Sequence, residues 1–221
     1  MSIGIVGQGF VGNAIYQKFK NFYDIATYDL DESKSNSTEE TTMTRDIVFV
    51  CLPTPMSEDG DCHTGIVEDA IKKVDSYGKC KIAVIKSTVP PGTADRLNSM
   101  YKDMYVAFNP EFLTERNAVE DFNNQNRIIL GGPRPATSKL KQVYSKVFPK
   151  AHIVKTGSTH AEMVKYFTNC FLANKVSFAN EMYQLCDSLG LDYDKVVEYA
   201  TLDSRLGNSH WAVPGPDGSF G

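Results

Sequence analysis

The chain has 221 residues, of which 42% are hydrophobic and 23% charged, and its formal net charge at pH 7 is −4. These fractions are ordinary for a globular protein, and the absence of a basic stripe or cluster argues against nucleic acid as a partner. The longest apolar run, Ile47 to Leu52, is too short to span a membrane. We therefore expect a globular protein with neither a nucleic-acid nor a membrane partner.

Cysteine and histidine usage points to a reducing compartment and to no metal site. The N-terminus has no signal-peptide pattern, and the five cysteines are odd in number without a Cys-x-x-Cys pair. We expect reduced, structural thiols in a cytoplasmic protein. The four histidines are scattered without metal-ligand spacing, so no metal is predicted.

The first 155 residues alternate short apolar runs with stretches of helical periodicity. Strands are predicted over 3–6, 25–28, 47–51, 81–85, 105–108, 127–130 and 152–154. Helices are predicted over 13–22, 64–77, 91–101 and 137–147, whereas the polar stretch 31–44 has no clear period. This alternation predicts an α/β fold, a Rossmann-type doubly wound and mostly parallel sheet with right-handed connections.

The pattern changes after residue 155. Neither glycine nor proline interrupts the chain from His160 to Leu189, and apolar residues recur there at helical spacing. We predict one helix of about 30 residues and a second over 191–201, with loop-like sequence after Gly207. The expected domains are 1–155, binding a dinucleotide, and 156–221, a long connecting helix with the start of an α-helical dimerisation region.

A GxGxxG motif follows the first predicted strand and opens the first helix. Its glycines permit a tight turn, close approach of the backbone to a pyrophosphate, and close packing of helix on strand. Asp29 ends the second strand, where a carboxylate accepts from a ribose 2′-OH and repels a 2′-phosphate. With no arginine beside Asp29, the prediction is NAD. The predicted cofactor residues here are Gly7, Gly9, Phe10, Val11, Gly12 and Asp29.

Proline-rich segments follow three further strands. Residues 52–55 read LPTP, 86–93 read KSTVPPGT and 109–113 read NPEFL. Ligands of doubly wound sheets bind outside the carboxyl ends of the strands, so these segments are expected to form rigid jaws around a nicotinamide and a substrate. Each segment alone is a common turn. The cofactor residues predicted from the first two segments are Pro53, Thr54, Ser87 and Thr88.

Taken in order, these motifs resemble the UDP-glucose and GDP-mannose dehydrogenase family. The resemblance rests on GxGxVG, the aspartate after the second strand, PTP, STVPPGT and NPEFL. It continues through Lys165, Asn169 and the segment 203–208, and covers essentially the whole chain. It implies oxidation of the C6 alcohol of a nucleotide-linked hexose to a carboxylate, as in the UDP-glucose to UDP-glucuronate reaction, with reduction of two NAD+.

The resemblance also implies roles for residues at the strand ends. Thr88 would orient a catalytic water or the substrate oxygen, and Glu111 would be the general base that hydrolyses a thioester. Glu115 would lie near the cofactor, while Phe112 and Leu113 would line the sugar-nucleotide site. After NPEFL the family usually has Arg-Glu-Gly, whereas this chain has Thr-Glu-Arg-Asn at 114–117. The path of that loop is therefore expected to differ.

Two polar residues of the long helix complete the predicted catalytic set. Lys165 and Asn169 are spaced i,i+4 and share one face of the helix. An ammonium and an amide N–H suit an alkoxide or tetrahedral oxyanion, the role that the resemblance implies for this pair. Arg205 resembles a family arginine that contacts substrate. The predicted substrate-binding residues are Glu111, Phe112, Leu113, Lys165, Asn169 and Arg205.

The family chemistry also needs a nucleophilic cysteine. In the family it follows a PGPDGxFG-like loop, and this chain ends in PGPDGSFG at 214–221. We expect the chain to stop a few residues before the nucleophile, and none of its own cysteines to substitute. Alone, it is expected not to complete the four-electron oxidation.

Two alternative functions remain open from the sequence. One is a one-step hydroxyacid or 6-phosphogluconate-type dehydrogenase, and the other is a non-catalytic NAD-binding module. The first would release NADH with hydroxy acids, and the second would have a gene that ends at codon 221. In either case the apolar long helix is expected to make a homodimer.

Overall fold

The computed structural model describes residues 1–114, 116–215 and 218. It contains two compact units, Met1–Lys165 and Tyr166–Gly221, and the division falls inside the predicted long helix.

A seven-stranded sheet organises the first unit. The strands are β1 Ser2–Val6, β2 Asp24–Tyr28, β3 Ile47–Val50, β4 Ile82–Ile85, β5 Tyr105–Phe108, β6 Arg127–Gly131 and β7 His152–Thr156. They lie in the order β2-β1-β3-β4-β5-β6-β7. All neighbouring strands run parallel except β5 and β6, which are antiparallel and joined at one residue pair, Phe108 and Gly131. The predicted doubly wound, mostly parallel sheet is confirmed.

Eight α-helices accompany the strands in the described residues. They are α1 Phe10–Phe19, α2 Glu39–Met43, α3 Gly65–Ser76, α4 Thr93–Met100, α5 Ala118–Asn124, α6 Arg134–Val147, α7 Ser158–Ser188 and α8 Tyr193–Ala200. Helix α7 has 31 residues, as its uninterrupted periodicity indicates. The sequence did not predict α2 or α5. Each buries only two side chains, too few to show a helical period.

Both faces of the sheet are covered, which explains the continuous apolar runs of the central strands. Helices α1, α5 and α6 pack on one face, and α2, α3, α4 and the first turns of α7 on the other. The first face has an aromatic cluster around Phe19, whose ring centroid lies 5.3 Å from that of Tyr144 and 6.0 Å from those of Phe49 and Phe122. Such pairs contribute about 0.5–1.5 kcal/mol each beyond area burial, so this cluster anchors α1 and α6 to the sheet.

The second unit consists of the remainder of α7, α8 and the segment that follows. Trp211 makes two hydrogen bonds in this unit: its indole Nε1 donates to the Gly207 carbonyl at 2.8 Å, and its carbonyl accepts from the Tyr193 hydroxyl at 2.8 Å. The Lys175 ammonium lies 4.5 Å from the Trp211 ring centroid. The loop predicted over 214–221 lies largely outside the described residues. Within the described chain, no helix combines the length and apolar composition that a membrane crossing requires.

Candidate active site

The glycine motif forms the turn between β1 and α1. Gly7 has a φ of +91°, and a Cβ there would lie 2.3 Å from the Cys51 carbonyl oxygen. A Cβ on Gly12 would lie 1.8 Å from the Gly7 carbonyl oxygen, so only glycine lets α1 pack this closely on the turn. A Cβ added to Gly9, by contrast, would meet no atom of the rest of the fold within 4 Å. The geometry leaves open space where a phosphate would approach the backbone.

Asp29 stands beside this turn at the end of β2. Its Oδ2 accepts from the Gln8 backbone N–H at 2.6 Å, and its Oδ1 accepts from the Asp31 N–H at 2.9 Å. These two bonds hold the carboxylate next to the glycine turn, where a ribose hydroxyl can donate to its remaining lone pairs. Lys34, from the polar stretch without a period, lies in the same region and pairs with Asp31 at 3.3 Å. Sequence reasoning missed Lys34.

A cleft of about 770 Å³ joins these features, within the usual size range of ligand sites. Of the predicted cofactor residues it is lined by Gly7, Gly9, Phe10, Val11, Asp29 and Pro53. Its wall also includes Lys34 and Lys73, and Lys73 pairs with Glu39 at 2.5 Å. Each of the two lysines in the wall therefore has a carboxylate as its ion-pair partner. Gly12, Thr54, Ser87 and Thr88 do not line the cleft, and Glu115 lies outside the described residues.

Thr54 and Ser87 tie the loops after β3 and β4 together. The Ser87 hydroxyl donates to the Leu52 carbonyl at 2.6 Å and accepts from the Leu52 N–H at 3.1 Å. The Thr54 hydroxyl donates to the Thr88 carbonyl at 2.8 Å, and the Cys62 thiol lies 3.7 Å from the same oxygen. Among the described contacts, the Thr88 hydroxyl itself has no hydrogen bond. The backbone of Thr88 is thus fixed while its hydroxyl stays available.

The structure brings Glu111 and Lys165 together. The Lys165 Nζ donates to Glu111 Oε1 and to the Glu111 carbonyl, both at 2.8 Å, and Lys165 is only 5% exposed. The other carboxylate oxygen accepts from the Leu113 N–H at 2.6 Å. The Lys165 Nζ also lies 5.6 Å from the centroid of the Phe112 ring, and the Arg127 guanidinium lies 4.1 Å from the same centroid. Glu111 and Phe112 of the NPEFL loop therefore contact one desolvated ammonium, and the Leu113 N–H holds the carboxylate that pairs with it.

A second buried lysine, Lys86, was missed by the sequence reasoning. It directly follows β4, is 3% exposed, and donates from Nζ to Asn109 Oδ1 at 3.0 Å. The Tyr144 hydroxyl donates to the same oxygen, and Asn109 Nδ2 donates to the Ile129 carbonyl at 2.7 Å. This network holds the first residue of the NPEFL loop. Its position directly after a wholly apolar strand is the sequence feature that could have predicted its burial.

Burial dominates the protonation chemistry around Lys86. It lowers the pKa of Lys86 to about 8, against the opposing effects of Cys51 and Glu111 and with a further lowering by the Lys165 charge. Burial raises the pKa of the Cys51 thiol to about 12, although the Lys86 charge opposes this. Burial also raises the pKa of the Tyr144 phenol above its usual range. Cys51 is therefore a protonated thiol at neutral pH.

The remaining predicted residues belong to the second unit. Asn169 lies one turn after Lys165 along α7, and its side chain is exposed. Arg205 is also exposed and pairs with Asp203, with Nη2 2.5 Å from Oδ2 and Nε 3.0 Å from Oδ1. All five cysteines are free, and Cys170 is exposed while Cys80 and Cys186 are buried.

Comparison with known families matches both parts of the chain. Residues 31–149 match the model of the NAD binding domain of the UDP-glucose/GDP-mannose dehydrogenase family. Residues 159–220 match the model of the central domain of the same family.

Individual relatives give the same result. The chain is 30% identical to the UDP-glucose 6-dehydrogenase AglM of Haloferax volcanii, over 95% of this chain and 60% of that protein. It is 36% identical to the UDP-glucose 6-dehydrogenase TuaD of Bacillus subtilis, over 73% of this chain and 37% of that protein. A solved UDP-glucose dehydrogenase from Pyrobaculum islandicum superposes with a TM-score of 0.86 at 31% identity, covering 95% of this chain and 58% of that one. The chain thus spans 60% or less of the length of these relatives.

Proposed function

The chain belongs to the UDP-glucose/GDP-mannose dehydrogenase family, and we propose that it supplies the cofactor site and the charge-stabilising groups of an NAD-dependent nucleotide-sugar 6-dehydrogenase. The substrate is a nucleotide-linked hexose whose C6 alcohol is oxidised to a carboxylate with reduction of two NAD+. The observation that carries the proposal is the buried Glu111–Lys165 ion pair, which follows β5 at the same carboxyl edge of the parallel sheet where the cleft follows β1, β2 and β3.

The charges of the cleft favour NAD over NADP. Asp29 presents a carboxylate at the position of an adenosine ribose, where it accepts from a 2′-OH and repels a 2′-phosphate. Lys34 and Lys73 line the same cleft as half-exposed lysines that are each paired with a carboxylate, so the preference for NAD rests on the charge of Asp29. The glycine turn and the N-terminus of α1 hold the pyrophosphate. Bound NAD+ supplies the acceptor for the hydride that leaves C6.

Residues of this chain stabilise the substrate oxygen that becomes negatively charged during oxidation. Lys165 is desolvated and held by Glu111, so its ammonium stabilises an alkoxide or tetrahedral oxyanion more strongly than it would in water. For Asn169, four residues later in α7, the family resemblance implies the role of an amide donor to the developing charge. Thr88 orients the substrate oxygen or a water through its available hydroxyl. Glu111 acts as the base that activates water when the acyl intermediate is hydrolysed.

The second oxidation needs a thiolate, which we propose comes from outside these 221 residues. Burial raises the pKa of both Cys51 and Cys80 to about 12, and a protonated thiol is a poor nucleophile. The Cys62 thiol lies against the Thr88 carbonyl, Cys186 is buried, and Cys170 lies about 100° around α7 from Asn169. The chain alone is therefore expected to bind NAD without catalysing the complete reaction. Free cysteines also fit a cytoplasmic site of action.

A homodimer formed through α7 completes the proposal. Phe167, Phe171 and Phe178 are 72%, 61% and 54% exposed and recur at helical spacing along one side of that helix. Exposed apolar stripes of this kind mark association surfaces. A second copy of the chain would cover the stripe by a twofold contact.

Two measurements test the function. Calorimetry on the 221-residue chain should show binding of NAD+ and weaker binding of NADP+. The protein extended to the length of its relatives should produce NADH from at least one of UDP-glucose, UDP-N-acetyl sugars and GDP-mannose. NADH release with hydroxy acids and none with nucleotide sugars would replace this proposal with the one-step dehydrogenase.

A further inference from the structure

Glu162 is a fully buried carboxylate that the proposed chemistry does not use. It lies in the second turn of α7 and is 0% exposed. Its Oε2 accepts from the Gly92 backbone N–H at 2.5 Å, and its Oε1 accepts from the Ala94 N–H at 2.8 Å. Both donors belong to the N-terminus of α4, about 70 residues earlier in the chain. One side chain therefore caps a helix from another element of the fold.

The local chemistry explains why a charged group is tolerated there. Helix α4 begins after Gly92, which has no side chain to accept from the first N–H groups. A carboxylate from outside satisfies two of those donors, and its charge is favoured by the helix dipole. Burial, together with the nearby charge of Asp95, raises the pKa of Glu162, whereas the two N–H bonds lower it.

The position of this contact links two predicted catalytic groups. Glu162 and Lys165 are spaced i,i+3, so they lie on one side of α7. Helix α4 directly follows the loop that carries Thr88, and Lys165 binds Glu111. The Glu162 contact therefore ties the segment that bears Lys165 to the segment that bears Thr88.

A second contact keeps α7 close to the sheet at this point. A Cβ added to Gly131, at the end of β6, would lie only 2.6 Å from the Ala161 Cβ. The first turns of α7 are therefore packed tightly against the end of β6. We expect a substitution at Glu162 to shift the orientation of α7 without unfolding the helix.

We propose that Glu162 is a positioning residue, which sets the place of the Lys165 ammonium relative to Glu111 and Thr88 by anchoring α7 to the N-terminus of α4. The inference rests on the proposed function only in taking Lys165 as the group that stabilises the substrate oxygen. Its geometric part concerns the placement of Lys165 and can be tested without any turnover.

The first experiment measures that placement on the 221-residue chain. Glu162→Gln keeps the shape of the side chain but presents an NH2 to one of the two N–H donors. The rate at which Lys165 is acetylated by N-hydroxysuccinimidyl acetate, followed by peptide mass spectrometry, should rise several-fold as Lys165 leaves Glu111. Lys18, half-buried on α1 with its Nζ 5.2 Å from the Phe148 ring centroid, lies on the other face of the sheet and serves as an internal reference whose rate should not change.

A matched control is available on the same helix pair. The Thr159 hydroxyl lies 2.9 Å from Asp95 Oδ2 and also joins α7 to α4, but in solvent. Thr159→Ala should leave both acetylation rates unchanged. The inference is overturned if Lys165 reacts at the wild-type rate in folded Glu162→Gln, or if Lys18 and Lys165 accelerate together, since the latter indicates general loosening of the fold. If Glu162→Gln does not fold, Glu162→Met provides the same comparison.

The second experiment uses the protein extended to the length of its relatives. Glu162→Gln should lower kcat on the order of tenfold or more while the KM for NAD+ is unchanged, because the cofactor cleft is not touched. Thr159→Ala should retain wild-type kcat. An unchanged kcat in Glu162→Gln contradicts the inference. A wild-type protein without dehydrogenase activity contradicts the proposed function instead, and leaves the acetylation result to decide the placement of Lys165.

Discussion

Replacing Lys86 by methionine should stabilise the first unit at neutral pH. Lys86 is buried with one neutral hydrogen-bond acceptor, and burial lowers its pKa from 10.5 to about 8. A shift of this size corresponds to about 3 kcal/mol of unfavourable burial of the charged form. Methionine has a similar length and no charge, so it removes this cost.

The hydrogen bond that is lost offsets part of the gain. Asn109 Oδ1 keeps the Tyr144 hydroxyl as a donor, so the substitution orphans no buried acceptor. The lost bond is worth about 1 kcal/mol. The free energy of unfolding of Lys86→Met at pH 7 should therefore exceed that of the wild type by roughly 2 kcal/mol.

The pH dependence has a definite sign. Below pH 8 the folded and unfolded chains both carry the proton on Lys86, and folding includes the full cost of burying the charge. Between about 8 and 10.5 the unfolded chain retains a proton that the folded chain has lost, so wild-type stability rises with pH. The advantage of Lys86→Met should shrink through this window and reverse to a deficit near pH 10.5.

Urea unfolding at intervals from pH 6.5 to 10.5 measures this difference. Lys81→Met is the control, because Lys81 is exposed at the start of the same strand and should change stability little at any pH. A Lys86→Met protein that is less stable than the wild type at pH 7, or a difference that does not change with pH, refutes the reasoning.

Three further outcomes follow from the site. Gly12→Ala places a Cβ 1.8 Å from the Gly7 carbonyl oxygen, so it should lower the melting temperature and abolish NAD+ binding. Gly9→Ala has open space for its Cβ and a φ of −70°, so it should keep the wild-type melting temperature and lose only NAD+ binding. Equal melting temperatures of the two variants contradict this reasoning. Asp29→Asn should weaken NAD+ binding measured by calorimetry and reduce the ratio of NAD+ to NADP+ affinity, since the carboxylate that repels the 2′-phosphate is gone. An unchanged affinity ratio excludes Asp29 from the ribose site. Phe171→Ser should shift the chain towards monomer in sedimentation, whereas Asp187→Ser, which is exposed on the opposite side of the same helix, should not; a wild-type monomer contradicts the dimer.

The strands and helices could be predicted wherever their buried residues produce a clear hydrophobic pattern in the sequence. Strands β3 and β4 are buried on both faces and read as unbroken apolar runs. Helix α7 is long enough for its spacing to be unambiguous. Helix α5 was not predictable, because only Ala118 and Phe122 are buried in seven residues.

The candidate site was predictable only as far as its motifs. The glycine motif, Asp29 and NPEFL indicated the cofactor cleft and the loop that meets Lys165. Lys86 and Glu162 were not found, because their importance depends on burial brought about by distant segments. Glu162 meets its partners across about 70 residues, a separation that no local pattern reveals.

The sheet is joined to its last two strands by a narrow seam. Strands β5 and β6 are paired at one residue pair only. The Asn109 side chain adds a hydrogen bond between these strands by donating to the Ile129 carbonyl. The same asparagine begins the loop that ends in Glu111 and Leu113. The fold thus uses one amide both to join two parts of its sheet and to hold the start of the loop that carries Glu111. A substitution at Asn109 is therefore expected to disturb the sheet and the placement of Glu111 together, so that neither can be varied alone.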